Sequence, residues 1–268
     1  MSLRKRFPTA VILLAAVFAV FQWAPPLVLF IFLQAFIIAA LIEFYNLAEK
    51  KKLHPQPLLG ILAALLISAS FFIKALPLGL ALFGGLLLAG IYFLMASNTI
   101  EKAMFFPSAL AITMFGAFYI SLTMNYLYAL RAERGPFYVY FLLGVIFLGD
   151  SGAYLLGKSL GRHKMTPIAS PNKTWEGSLG GIIFACLGAL AARQLLLKQI
   201  GLGEAVLCGV LAHAVAQISD PLESLFKRAV GVKDSSNMLP GHGGFLDRID
   251  SLLLAVPFYY YFIRYFWK

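Results

Sequence analysis

Apolar runs long enough to cross a bilayer recur from one end of this 268-residue chain to the other. A spanning helix needs about 20 predominantly apolar residues, set by a rise of about 1.5 Å per residue and a hydrocarbon core about 30 Å thick. About nine such runs occur, at roughly 9–24, 26–46, 57–74, 77–96, 103–129, 137–157, 177–199, 203–222 and 250–267. With 60% hydrophobic residues, the chain cannot hide its apolar surface as a water-soluble domain. The first run ends at Pro25-Pro26 with no small-residue cleavage site before them, so it reads as a retained helix. The expected fold is all-α: a polytopic integral membrane protein with about nine transmembrane helices.

The net charge of +10 speaks to orientation before it speaks to partners. Arg4, Lys5 and Arg6 precede the first run, and Lys50, Lys51 and Lys52 follow the second. Lys158, Arg162, Lys164 and Lys173 lie between the sixth and seventh, and a further basic cluster lies between the eighth and ninth. A cytoplasmic N-terminus puts all four clusters on the cytoplasmic side, the arrangement expected of short loops rich in Lys and Arg. The bilayer is the expected partner, and no nucleic acid is. The two cysteines, Cys186 and Cys208, sit inside apolar runs, and no Cys/His spacing suits zinc.

The sequence divides by content into 1–130, mainly scaffold, and 131–268, where the chemistry-bearing residues gather. In the first part, Glu43 is the one acid close to a span interior. Such a carboxylate costs about 2.5–3.5 kcal/mol at a helix centre, less near an end where it can snorkel. Helix packing and site lining are both open to it. In the second part, Asp150 lies in a span roughly 10 Å from its cytoplasmic end, among Gly149, Ser151, Gly152 and Ala153, which permit close helix approach. It is either hydrogen-bonded to a neighbouring helix or part of a site.

The densest polar block is Ser224–Asp250, SLFKRAVGVKDSSNMLPGHGGFLDRID. Asp220, Glu223 and Lys227 share a helix face by their spacing, with Ser224 and Arg228 adjacent. Pro221 invites a kink there. The glycines Gly241, Gly243 and Gly244 around His242 allow positive φ and close approach of backbone N–H groups to phosphate oxygens. Lys233 lies nearby in sequence. Asp247 and Asp250 are three residues apart, on one face of the next helix, where stabilising its N-terminus is their simplest duty. Asp220, Asp247 and Asp250 together offer the hard oxygen donors that Mg²⁺ takes with phosphates and water. Upstream, in SPNKTWEG, Asn172 or Thr174 is placed to cap the seventh span beside Lys173. The alternative for that loop is contact with anionic lipid headgroups.

The block resembles the signature of the phosphatidate cytidylyltransferase (CDP-diacylglycerol synthase) family. The residues that carry the likeness are Ser224, Lys227, Arg228, Lys233, Asp234, Pro240, His242, Gly243, Gly244, Asp247, Arg248 and Asp250. The likeness extends to the Asp150 segment DSGAY and to SPNKTWEG, about half the chain. Asn172 stands where that family commonly carries a second basic residue. The resemblance implies transfer of CMP from CTP to phosphatidic acid, giving CDP-diacylglycerol and pyrophosphate, at the cytoplasmic face of a bacterial inner (plasma) membrane. It implies Mg²⁺ on Asp220, Asp247 and Asp250, with Asp150 lining the cavity or holding a second cation. Lys173, Arg228, Lys233 and Arg248, with Gly243 and Gly244, are expected at the phosphates, and Lys227 and His242 among the catalytic groups. A cation-coupled transporter is the competing class, and it would show flux without CTP turnover. A CDP-alcohol phosphotransferase is disfavoured, because Asp247-Arg-Ile-Asp250 lacks the Gly and Ala-Arg of that motif. Small-residue pairs at Gly84-Gly85 and Gly180-Gly181 leave a homodimer open.

Overall fold

The structure, a computed structural model, describes residues 15–236, 238 and 243–267. Residues 15–23 are helical. Next come α1 (Pro26–Lys50), α2 (Pro57–Phe72), α3 (Leu78–Ala96) and α4 (Ile100–Gly116), the last passing through a π-helical turn at Ala117–Leu122 into α5 (Thr123–Arg134). Then follow α6 (Pro136–Leu160), strands β1 (Lys164–Thr166) and β2 (Ser170–Thr174), α7 (Trp175–Leu196), α8 (Leu202–Ala229), α9 (Leu246–Ile249) and α10 (Leu252–Phe266). Proline opens α1, α2 and α6, where its missing N–H has no intrahelical acceptor to lose. Gly135, at φ +91°, turns the chain between α5 and α6.

Six helical segments among the described residues are long and apolar enough to cross a membrane: α1, α3, α4 with α5, α6, α7 and α8. α2, with 16 residues, is apolar but shorter, and α10 has 15. The expected run at 9–24 begins outside the described residues. One correction applies to the all-α expectation. The segment between α6 and α7 forms an antiparallel hairpin, with Lys164 opposite Thr174 and Thr166 opposite Ser170. Pro167 and Pro171 forbid helix there, and the backbone groups find partners across two short strands instead.

The chain forms two compact units. One comprises Met1–Tyr128 with Ala229–Ile249, the other Ala129–Arg228 with Asp250–Lys268. In the first, a buried polar chain links α1, α2 and the segment from the π-turn into α5. Gln34 Nε2 donates to Asn125 Oδ1 at 3.1 Å, Asn125 Nδ2 to Ser68 Oγ at 2.9 Å, and Ser121 Oγ to the Ala64 carbonyl at 2.9 Å. Polar side chains persist in an apolar helical body when their hydrogen bonds are met across helices. Tyr45 crosses beneath Gly60 and Gly116 to donate to the Thr113 carbonyl at 2.7 Å.

In the second unit, α6 lies against α7 through small residues. A Cβ on Gly152 would overlap the Phe184 ring, and one on Gly180 the Leu156 side chain. Gly181 and Gly149 both lie against the His213 ring of α8. The Gly180-Gly181 pair is therefore occupied within the chain. In the first unit, Gly85 likewise faces Ala63. Close helix approach in this unit thus depends on missing side chains. Gly152→Ala is expected to overpack the α6–α7 contact at a cost of about 1–3 kcal/mol, seen as a lower thermal midpoint of the detergent-solubilised protein. An unchanged midpoint would mean that the contact tolerates a methyl group.

Candidate active site

The second unit contains a cleft of about 330 Å³ whose polar lining includes Asp150, Lys173, Asp220, Ser178 and Gln217. Local chemistry brings each of them there. Thr174, extended at φ −128°, is the N-cap of α7, and its Oγ1 accepts from Gly177 N at 3.1 Å. That cap fixes where β2 ends and sets Lys173 at the mouth of α7. Lys173 Nζ lies 2.8 Å from Asp220 Oδ2, both side chains partly exposed. Asp150 on α6 lines the same cleft. Gln217 ties α8 to α7: its Nε2 donates to the Ser178 carbonyl at 3.1 Å, while Ser178 Oγ donates back to its Oε1. Its Nε2 also lies 2.9 Å from His213 Nε2.

α8 continues unbroken through Pro221 to Ala229. One turn beyond Asp220, the Glu223 carboxylate meets Lys227 Nζ at 2.5 Å, and both side chains are buried. Ser219 Oγ donates to the Asp250 carbonyl and accepts from Leu254 N at 3.2 Å, which fixes the turn ahead of α10. In that turn the Asp250 carboxyl is pushed above the ordinary carboxylate range. The protein around it is the first cause; the negative charges of Asp220 and Glu223 add to it, and Lys227 pulls the other way. The second unit therefore gathers Asp150, Lys173, Asp220, Glu223, Lys227 and Asp250.

Asp247 belongs to the first unit. Its Oδ2 accepts from Ser235 N at 2.9 Å and Gly244 N at 2.8 Å, and lies 2.9 Å from Ser235 Oγ, whose single proton it shares with Glu43. Gly243 adopts φ +78°, and a Cβ on Gly244 would overlap Ser235 Oγ and the Glu43 carboxylate. The two glycines thus permit a tight return of the chain, and the Gly244 N–H is directed at Asp247. Lys233, Asp234 and Arg248 are exposed, and Arg228 is half-buried. His242, Gly241 and Pro240 lie outside the described residues. Sequence reasoning left Glu43 between packing and site lining. In the structure its carboxylate takes hydrogen bonds from Ser235 and Ser236 of the polar block. The legible signal was an acid close to the interior of an apolar run; which residues it meets was not legible. Gln217 and Ser178 were also missed, since neither carries a charge or motif. Among the described residues no three His, Cys, Asp or Glu side chains converge as a ready-made metal site.

Helices of spanning length, with a lysine and two carboxylates sharing a cleft among them, define a membrane-embedded protein with a charged site. The chain belongs to the cytidylyltransferase family, whose model matches residues 4–266. It is 35% identical over 235 residues to the phosphatidate cytidylyltransferase of Staphylococcus saprophyticus, covering 86% of this chain and 87% of that protein. It is 36% identical over 236 residues to that of Bacillus subtilis, covering 84% and 86%. Against that of Haemophilus influenzae it is 43% identical over 135 residues, 47% of each chain.

The Glu223–Lys227 pair invites a direct test. Lys227→Met removes the ammonium that faces a buried carboxylate, and breaking such a pair from one side costs about 3–5 kcal/mol. The double variant Glu223→Gln, Lys227→Met should recover most of that loss in chemical denaturation. Equal stability of the single and double variants would show that the pair is not coupled.

Proposed function

We propose that this chain is a phosphatidate cytidylyltransferase, transferring CMP from CTP to phosphatidic acid and releasing pyrophosphate. Family membership and the named relatives support the reading. The single observation that carries it is the cleft in which Lys173 stands between protein carboxylates at the end of apolar helices. It offers a cation to an anionic substrate whose other part is hydrocarbon. The new bond joins a phosphate oxygen of phosphatidic acid to the α-phosphorus of CTP. The bond from that phosphorus to the bridging oxygen breaks, and pyrophosphate leaves with the electron pair. The nucleophile is already anionic, so no side chain has to take a proton from it. What remains is to hold two anions together and offset their charge.

Lys173 serves that purpose by exchanging a carboxylate oxygen of Asp220 for a phosphate oxygen. Arg228, Lys233 and Arg248 supply further positive charge at the triphosphate, and Lys227 acts from within α8 while holding Glu223. The donors at Asp220 and Asp250 suit Mg²⁺, which takes one or two carboxylates and completes its shell with water and phosphate oxygens. The like charges that raise Asp250 are those a divalent cation relieves. Asp247 is assigned to the same cation on the Asp-Arg-Ile-Asp spacing alone, and Asp150 to the cavity lining or a second cation. Bound there, the metal would supply charge neutralisation on the triphosphate. We also infer about nine spans with a cytoplasmic N-terminus in a bacterial inner membrane, on the distribution of Lys and Arg.

Purified protein in mixed micelles with phosphatidic acid, CTP and Mg²⁺ should form CDP-diacylglycerol with matching pyrophosphate, and chelation should stop it. Folded protein that forms no product with any nucleotide overturns the reading. Asp247→Asn should abolish turnover while the protein stays folded in the membrane; wild-type activity removes Asp247 from the site. Lys173→Ala should raise the Michaelis constant for CTP or phosphatidic acid about tenfold, the loss expected for one charge-assisted hydrogen bond. Unchanged kinetics would return that loop to the lipid headgroups.

A further inference from the structure

Glu43 is a buried acid that the proposed reaction does not use. It is 2% exposed, on α1. Its carboxylate is fully engaged. Oε1 accepts from Ser236 Oγ at 2.6 Å and Phe245 N at 3.0 Å. Oε2 accepts from Ser235 Oγ at 2.9 Å and Leu246 N at 2.9 Å. These four donors come from two separate stretches, one on each side of the GHGG segment. Phe245 and Leu246 stand at the start of α9, where backbone N–H groups have no intrahelical acceptor. A single carboxylate from α1 therefore ties Ser235 and Ser236 to Phe245 and Leu246.

The surroundings fit that duty closely. Asp247 bonds Ser235 and Gly244, so the same two stretches are joined a second time from within the polar block. Gly244 passes so near Glu43 that any side chain there would strike the carboxylate. Phe36, two helical turns before Glu43 and on the same face of α1, meets the Phe245 ring edge-on at 5.2 Å between centroids. The chemistry also selects the residue. Four donors need two oxygens with free lone pairs, which a carboxylate has. A glutamine would offer one oxygen and turn an NH₂ group toward N–H and O–H donors.

We propose that Glu43 is a positioning residue for the reaction. It fixes the described residues on both sides of the segment between Ser236 and Gly243 and, through Ser235, the setting of Asp247. The effect on turnover rests on the cytidylyltransferase reading; the anchoring of these residues does not.

Three variants in the full-length, detergent-solubilised protein test it: Glu43→Gln, which keeps the size; Glu43→Asp, which keeps two accepting oxygens; and Ser236→Ala, which removes one donor outside α1. Each is measured for kcat, for the Michaelis constant of CTP, and for hydrogen–deuterium exchange along the chain. In Glu43→Gln, kcat should fall about 100-fold, the scale of a 1 Å misplacement of a site. Exchange should rise in peptides covering Phe245 and Leu246 and stay unchanged elsewhere in α1 and α2. Glu43→Asp should recover part of the activity. Ser236→Ala should show the same local exchange with a smaller loss, and it decides the matter if Glu43→Gln does not fold. Wild-type turnover with wild-type exchange in Glu43→Gln overturns the proposal. So does a loss of activity accompanied by faster exchange throughout the protein, which would mark general stability. An inactive wild type would sink the proposed reaction, while the exchange pattern would still decide whether Glu43 anchors these residues.

Discussion

An ionised group inside a body made for hydrocarbon has to be matched, and the way each acid is matched organises this molecule. Glu43 is matched by four neutral donors, two hydroxyls and two backbone N–H groups. Glu223 is matched by a buried ammonium one turn along its own helix. Asp220 is matched by Lys173 from the neighbouring hairpin. Asp250 is the exception, because the charges that act on it most strongly are negative. Glu43 is a closed arrangement with its accepting capacity used, and Glu223 is held in a buried ion pair. Asp220 keeps a partly exposed lysine as its partner, and Asp250 keeps neighbours of its own sign, so these two are matched less completely than the others.

Small residues make the charged cleft possible. Gly149 and Gly181 leave space for the His213 ring, and a Cβ on Gly181 would also strike Gln217 Nε2. Gln217 then bonds Ser178 in both directions. Much of the cleft wall is thus carried on helices joined by hydrogen bonds, with Lys173 added from the hairpin. Rigid elements of that kind hold a site within the tolerance that positioning catalysis requires.

Much of this was legible in the sequence, and the remainder was not for physical reasons. Helix positions follow from apolar runs and opening prolines, and a cap for α7 was expected at Asn172 or Thr174, of which the structure uses Thr174. The shared face of Asp220, Glu223 and Lys227 follows from helical period alone. That Lys227 and Glu223 share a face is legible from their spacing; that both are buried and paired is not. Local periodicity also gives no account of a bond such as Ser236 to Glu43, which spans almost two hundred residues. The hairpin was missed because two strands of three and five residues leave little pattern. Gln217 was missed because an amide between apolar neighbours has no charge to draw attention.

The block from Ser224 to Asp250 reads as one motif, yet the chain divides it between two devices. Lys227 and Arg228, at its start, and Asp250, at its end, belong to the unit that contains the cleft. Lys233, Ser235, Gly244 and Asp247, in its middle, belong to the unit built on α1 and its neighbours. The middle is held by Glu43 and by its own Asp247, and the ends by helix α8 and the turn fixed on Ser219. Such a division explains why acids, bases and glycines are interleaved rather than grouped. Glycine serves where backbone must pass over a carboxylate, acid and base serve where α8 buries charge, and Asp250 stands where like charges remain uncompensated.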